Sequence, residues 1–297
     1  MGNVKYHITS NIHFQFYKNI TKIIYMLLFL FTLLQIQCCR SMPNNYSKIY
    51  QHMLDKISEK NIFNTIKNLQ AFKTRYTLEK QNQTAEYLYN YLKKYDSLNV
   101  SYDCYEANNK LWKNVIAIRK GEQNYNKVYI ACAHYDSISS KPFTFAPGAD
   151  DNATGVAILL EAASILAKTQ CKNTVKFVFF SNEEQGHKGS KHYVEKLKTK
   201  RENIKGVINV DTVGFVNPNL FTLPPDLKKK GIPHKVFYLA KQIIKRPLFY
   251  FQLGFKNPNQ ILLVAGRPSN RFLVEKIYSI IKPLEIGIKK NVGSQCG

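Results

Sequence analysis

Four short polar clusters carry the residue types from which hydrolytic or metal chemistry is built. They are His134-Tyr135-Asp136, Gly148-Ala149-Asp150-Asp151-Asn152, Asn182-Glu183-Glu184 and Asn209-Val210-Asp211. Taken singly, each has a plain structural explanation. A histidine is often a hydrogen-bonded core residue, Asp150 and Asp151 are suited to capping the helix that follows them, and Asp211 could solvate a turn. Glu183 and Glu184 are the awkward pair, because adjacent carboxylates repel and both need solvation. If the clusters converge, one histidine and three or four carboxylates share one place, and that much negative charge is costly unless a cation offsets it. Nitrogen and carboxylate ligands without thiolates suit catalytic zinc, with cobalt or manganese as substitutes.

Convergence depends on the elements that carry these clusters. Residues 46–95 place apolar side chains at three- and four-residue spacing in "YSKIYQHMLDKI" and "TLEKQNQTAEYLYNYLKKY", which predicts helices. Strand and helix then alternate. "WKNVIAIRKG", "KVYIACAHYDS", "NTVKFVFFSNEE", "IKGVINVDTVG" and "NQILLVAG" read as strands, while "NATGVAILLEAASILAK", "GSKHYVEKLK" and "NRFLVEKIYSIIK" read as helices. Residues 217–258 are less regular and contain proline pairs. Near-continuous apolar strands alternating with helices predict an α/β fold, a three-layer α/β/α sandwich around a mostly parallel mixed sheet. In such sheets functional groups gather beyond the carboxyl ends of the strands, where the polar clusters fall.

Composition adds less. The formal charge of +23 over 297 residues comes mostly from lysine. No basic stripe with interleaved aromatics accompanies it, so the lysines read as scattered solvated residues and nucleic acid is not an expected partner. Of the six cysteines, none forms a C-x-x-C pair, which argues against a cysteine-based zinc site. Residues 23–36, "IIYMLLFLFTLLQI", follow Lys18 and Lys22 and are shorter than the ~20 residues a membrane span needs. They suit the apolar core of an export signal, so residues 1–40 are expected to be a signal peptide or lipoprotein leader and residues 41–297 the catalytic domain. Cys38 and Cys39 stand where a lipid-anchoring cysteine would, although the small residues that should precede it are missing. The expected location is exported, either secreted or periplasmic, or held at a membrane by a lipid.

The motifs "AHYDS", "PGADDNATGVAILLE", "SNEEQGHKGS" and "INVDTVG", in this order, resemble the co-catalytic zinc exopeptidases. That family includes bacterial leucine-type aminopeptidases and, more distantly, glutaminyl cyclases. The resemblance covers roughly residues 60–297. It implies that His134, Asp151 and Asp211 bind one zinc, that Asp151 bridges to a second, and that Glu184 binds the second. Asp136 would fix the His134 ring from behind, Glu183 would be the general base, and Asp150 would be a turn or cap residue. Two cations about 3.5–4 Å apart would activate a water and polarise the scissile carbonyl of a peptide N-terminus.

The family also uses a fifth ligand, a histidine in an "SDH"-like motif, and none of the seven histidines lies beyond His234. His187 and His192 follow the glutamate pair, in a stretch that supplies no ligand in the family. The expectation is therefore a C-terminally incomplete catalytic domain, with two zinc ions in the family but only one complete site here and reduced activity. The resemblance leaves two alternatives to an aminopeptidase: a glutaminyl cyclase-like acyltransferase and a catalytically silent surface or binding homologue.

Overall fold

A computed structural model describes residues 52–53 and 55–214 and, as backbone alone, strands 261–266 and 287–292. The leader, the helix expected at "NRFLVEKIYSIIK" and the irregular stretch 217–258 lie outside the described residues. The chain divides into two units, Met1–Phe215 and Val216–Gly297.

The first unit opens with α1 (Glu59–Ala71) and α2 (Leu78–Leu92). Each starts at a hydroxyl residue whose oxygen accepts an otherwise unpaired N–H of the first turn, from Ser58 to Asn61 and from Thr77 to Lys80. A hairpin follows, β1 (Leu98–Ala107) and β2 (Lys110–Arg119). Its two-residue turn is Asn108-Asn109, both at positive φ (53° and 55°). That geometry matches the twist of paired antiparallel strands, and asparagine tolerates it better than most residues. Then come β3 (Asn124–His134), α3 (Ala153–Ala167), β4 (Asn173–Phe180), α4 (Lys188–Lys200) and β5 (Ile204–Asn209).

The five strands form one mixed sheet in the order β1-β2-β4-β3-β5. The hairpin pairs antiparallel with β4, whereas β4, β3 and β5 run parallel. This order sends the chain from β3 to β4 and then back across β3 to β5. Because both crossovers are expected to be right-handed, α3 and α4 fall on opposite faces. The packing agrees. On the α4 face, Tyr193 joins Ile116, Val128, Ile130, Cys132 and Val178, with Leu197 packed against that cluster. α3 is buried almost all round, as expected of a helix lying between a sheet and α1. Its single carboxylate, Glu161, accepts the Ser58 N–H at 2.7 Å, so the buried charge sits at the start of α1.

The expected α/β architecture with a mixed sheet is what the described residues adopt. β1, with residues 98–107, is an addition, since its alternating half-buried pattern was not assigned from the sequence. The second unit contains β6 (Ile261–Gly266), within the expected strand "NQILLVAG", and β7 (Gly287–Val292), which pair in parallel. Among the described residues no helix is long and apolar enough to cross a membrane.

Candidate metal centre

The parallel strands β4, β3 and β5 end side by side, with His134 opposite Phe180 and Cys132 opposite Asn209. The chain therefore delivers His134 at the end of β3, Glu183 and Glu184 just beyond β4, and Asp211 just beyond β5 to one edge. Asp151 arrives from the turn before α3. The helix is capped by Asn152, which accepts the Gly155 N–H at 3.0 Å and donates to the Val210 carbonyl at 2.9 Å, tying α3 to the end of β5. Asp150 is held structurally, accepting the Gly214 N–H at 2.7 Å and facing the Thr154 hydroxyl at 3.4 Å.

His134 is 4% exposed, and its Nε2 lies 3.0 Å from Asp151 Oδ1 and 3.4 Å from Asp211 Oδ1. On the other side of the ring, Nδ1 faces Asp136 Oδ1 at 3.3 Å. Burial opposes a charged ring, yet Asp136, Asp151 and Asp211 together push its pKa up to about 12. One Nε2 proton serves only one carboxylate well, so Asp211 Oδ1 is left buried without a hydrogen-bond donor. Glu184 Oε1 is likewise buried and undonated. Burial first, and the nearby Asp151 charge second, raise the Glu184 carboxyl to about 7.

These orphaned oxygens and the raised Glu184 are the signature of negative charge without a counter-ion, and the donor set fits a zinc ion. Two groups of ligand atoms lie within 4.8 Å of one another, His134 with Asp151 and Asp211, and His134 with Glu183 and Glu184. An apolar cavity of about 640 Å³, lined by Ile130, Phe180, Tyr193 and Leu197, borders His134, Glu183 and Asp211. One wall of the site is therefore apolar, where charges are weakly screened.

Glu183 and Glu184 are placed by a buried network that sequence reasoning did not find. After β4 the chain turns at Asn182, whose φ is +52°. Asn182 donates to the Tyr105 hydroxyl at 3.0 Å and pairs with Gln81 through both its side chain and its N–H, at 3.0 and 3.3 Å. Asn114 Oδ1 accepts the Ser181 N–H and hydroxyl, both at 3.1 Å. Asp136, wholly buried, accepts the main-chain N–H of Glu183 and of Glu184. His187, given no role from the sequence, places Nδ1 2.8 Å from Glu183 Oε1 on the exposed side. Its spacing four residues after Glu183, at the start of α4, was the available signal.

Residues 114–247 match the profile of Peptidase family M28. A protein named "Probable zinc metalloprotease" from Pyrenophora teres f. teres is 32% identical over 184 residues, covering 54% of this chain and 38% of that one. "Leucine aminopeptidase 1" from Paracoccidioides brasiliensis is 31% identical over 176 residues, covering 56% of this chain and 45% of that one. The chain thus spans less than half the length of these curated relatives. In fold it is similar to LapA of Legionella pneumophila, with a TM-score of 0.60 and 17% identity over 88% of this chain and 61% of that one. It is also similar to a leucine aminopeptidase precursor from Bacteroides thetaiotaomicron, with a TM-score of 0.53 and 18% identity over 80% and 79% of the two chains. The ordered motifs and the convergent site all lie within residues 114–247, the part of the chain that is similar to Peptidase family M28.

Proposed function

We propose that the protein is a zinc-dependent aminopeptidase that removes residues from peptide N-termini. The observation that carries this reading is the His134 ring, held by Asp136 behind and facing Asp151 and Asp211 in front, with Glu183 at the same sheet edge. His134, Asp151 and Asp211 would hold the ion, and Asp151 and Glu184 would hold a second one. When bound, zinc supplies Lewis acidity and lowers the pKa of water.

The protein's own residues do the rest. Asp136 fixes the ring so that Nε2 is the nitrogen presented to the site. Glu183, part-buried with its N–H anchored, takes the proton of the attacking water and passes it to the leaving amine. The acidic edge formed by Asp151 and Glu184 favours a substrate with a free, protonated α-amine. We also propose export, on the leader-like residues 1–40, which N-terminal sequencing of the mature protein would test.

The function is tested with the full chain, stripped of metal and then given zinc. A leucyl anilide should be hydrolysed only in the zinc-supplemented sample, and its N-acetyl analogue should not be. Equal cleavage of the blocked substrate would contradict an aminopeptidase, and no zinc-dependent cleavage of either would contradict a peptidase.

A further inference from the structure

Arg75 has no part in the chemistry described above, yet its side chain is wholly buried, at 0% exposure. A buried guanidinium is expensive and needs a full set of acceptors. Its described partners are all main-chain carbonyls. Nε donates to Tyr135 O at 2.7 Å, Nη1 to Leu69 O at 3.2 Å and Pro147 O at 2.6 Å, and Nη2 to Gly148 O at 2.9 Å. Two of these acceptors matter most. Tyr135 stands between His134 and Asp136, and Gly148 opens the turn that carries Asp150 and Asp151.

The turn transmits what the arginine holds. The Gly148 carbonyl also accepts the Ala153 N–H at 3.1 Å, closing the loop around Asp151. Gly148 itself has φ +47°, and a Cβ there would lie 2.3 Å from the Asp151 carbonyl oxygen and 2.7 Å from Arg75 Nη2. The Arg75 backbone adds a third tie, its N–H donating to Ser137 Oγ at 3.1 Å while that hydroxyl donates to Ala146 O at 2.6 Å.

We propose that Arg75 is a positioning residue for the candidate metal centre, its guanidinium clamping the Asp151-bearing turn against the end of β3 that presents His134 and Asp136. The proposal rests on the metal reading of the site and adds a residue outside the ligand set. The rigid planar fork is what the site uses. A lysine keeps the charge but has a single nitrogen, which cannot span carbonyls from three segments.

The test measures zinc affinity of the metal-free full chain by competition with a chromophoric chelator, together with kcat and KM. The proteins compared are the parent, Arg75→Lys and Gly148→Ala. Both variants should melt cooperatively, bind zinc about 10- to 100-fold more weakly than the parent, and lose kcat more than KM. A merely structural arginine would lower the melting temperature but leave the zinc affinity of the folded protein unchanged, and that result would overturn the proposal. If Arg75→Lys does not fold, Gly148→Ala decides, because its Cβ would press on both the Asp151 carbonyl and the guanidinium and so loosen the clamp from the turn side. A parent that takes up no zinc would overturn the metal reading and the clamp together. A parent that binds zinc beside folded variants that bind it equally well would overturn the clamp alone.

Discussion

Asp136 accepts the main-chain N–H of Glu183 at 3.0 Å, so the residue behind the histidine also fixes the backbone of the proposed base. Its other oxygen accepts the Glu184 N–H at 3.1 Å, and Oδ1 faces His134 Nδ1 at 3.3 Å. One carboxylate thereby couples the ends of β3 and β4. Asp136→Asn keeps the size but leaves one acceptor oxygen for three donors. It should lower zinc affinity and kcat by about 10- to 100-fold each, measured on the same preparation. Loss of activity with zinc affinity unchanged would assign Asp136 to Glu183 alone rather than to both strands.

Asn114 should be a stability residue. Its amide donates to Asp103 Oδ2 at 3.1 Å and to Gly189 O at 3.0 Å, and its oxygen accepts both donors of Ser181. Asn114→Ala strands these groups in a buried place and should cost about 2–4 kcal/mol. A shifted urea midpoint at unchanged slope would show this. Asn114→Asp should be no milder, since it turns a carboxylate toward buried Asp103.

Much of the site was readable because its chemistry-bearing residues end apolar runs. "ACAH", "KFVFF" and "VINVD" each announce a strand and its terminal polar group, and parallel pairing does the rest. What positions these residues was not readable. Arg75 looks like any basic residue in a lysine-rich chain, and only burial against carbonyls from Leu69, Tyr135, Pro147 and Gly148 distinguishes it. Gln81 pairs with Asn182 across 101 positions, a separation that no local pattern encodes. The β1–β2 hairpin did have a signal, Asn108-Asn109, but β1 alternates polar and apolar residues too evenly to resemble the apolar strands beside it.

The metal-free and zinc-loaded proteins should respond oppositely to pH. In the metal-free fold, His134 is raised from 6.5 to about 12 and Glu184 from 4.5 to about 7. A raised folded pKa gives stability that is complete below the unfolded value and lost as pH rises through the folded one. The Glu184 contribution is therefore lost between about pH 4.5 and 7, and the His134 contribution declines from about pH 6.5 upward. Zinc needs both groups deprotonated, so its affinity grows over the same range. The gap in melting temperature between zinc-loaded and metal-free protein should widen from pH 6 to pH 8. A gap that narrows would contradict His134 and Glu184 as ligands.

In the proposed division of labour, Glu183 acts on water while the residues around it hold the ion. Zinc content and leucyl-anilide hydrolysis, measured together on the parent and on Glu183→Gln, test it most directly. Equal zinc is expected in the two proteins, with a rate lower by about 10²–10⁴-fold in the variant. Parent-level hydrolysis by Glu183→Gln, with its zinc in place, would contradict it.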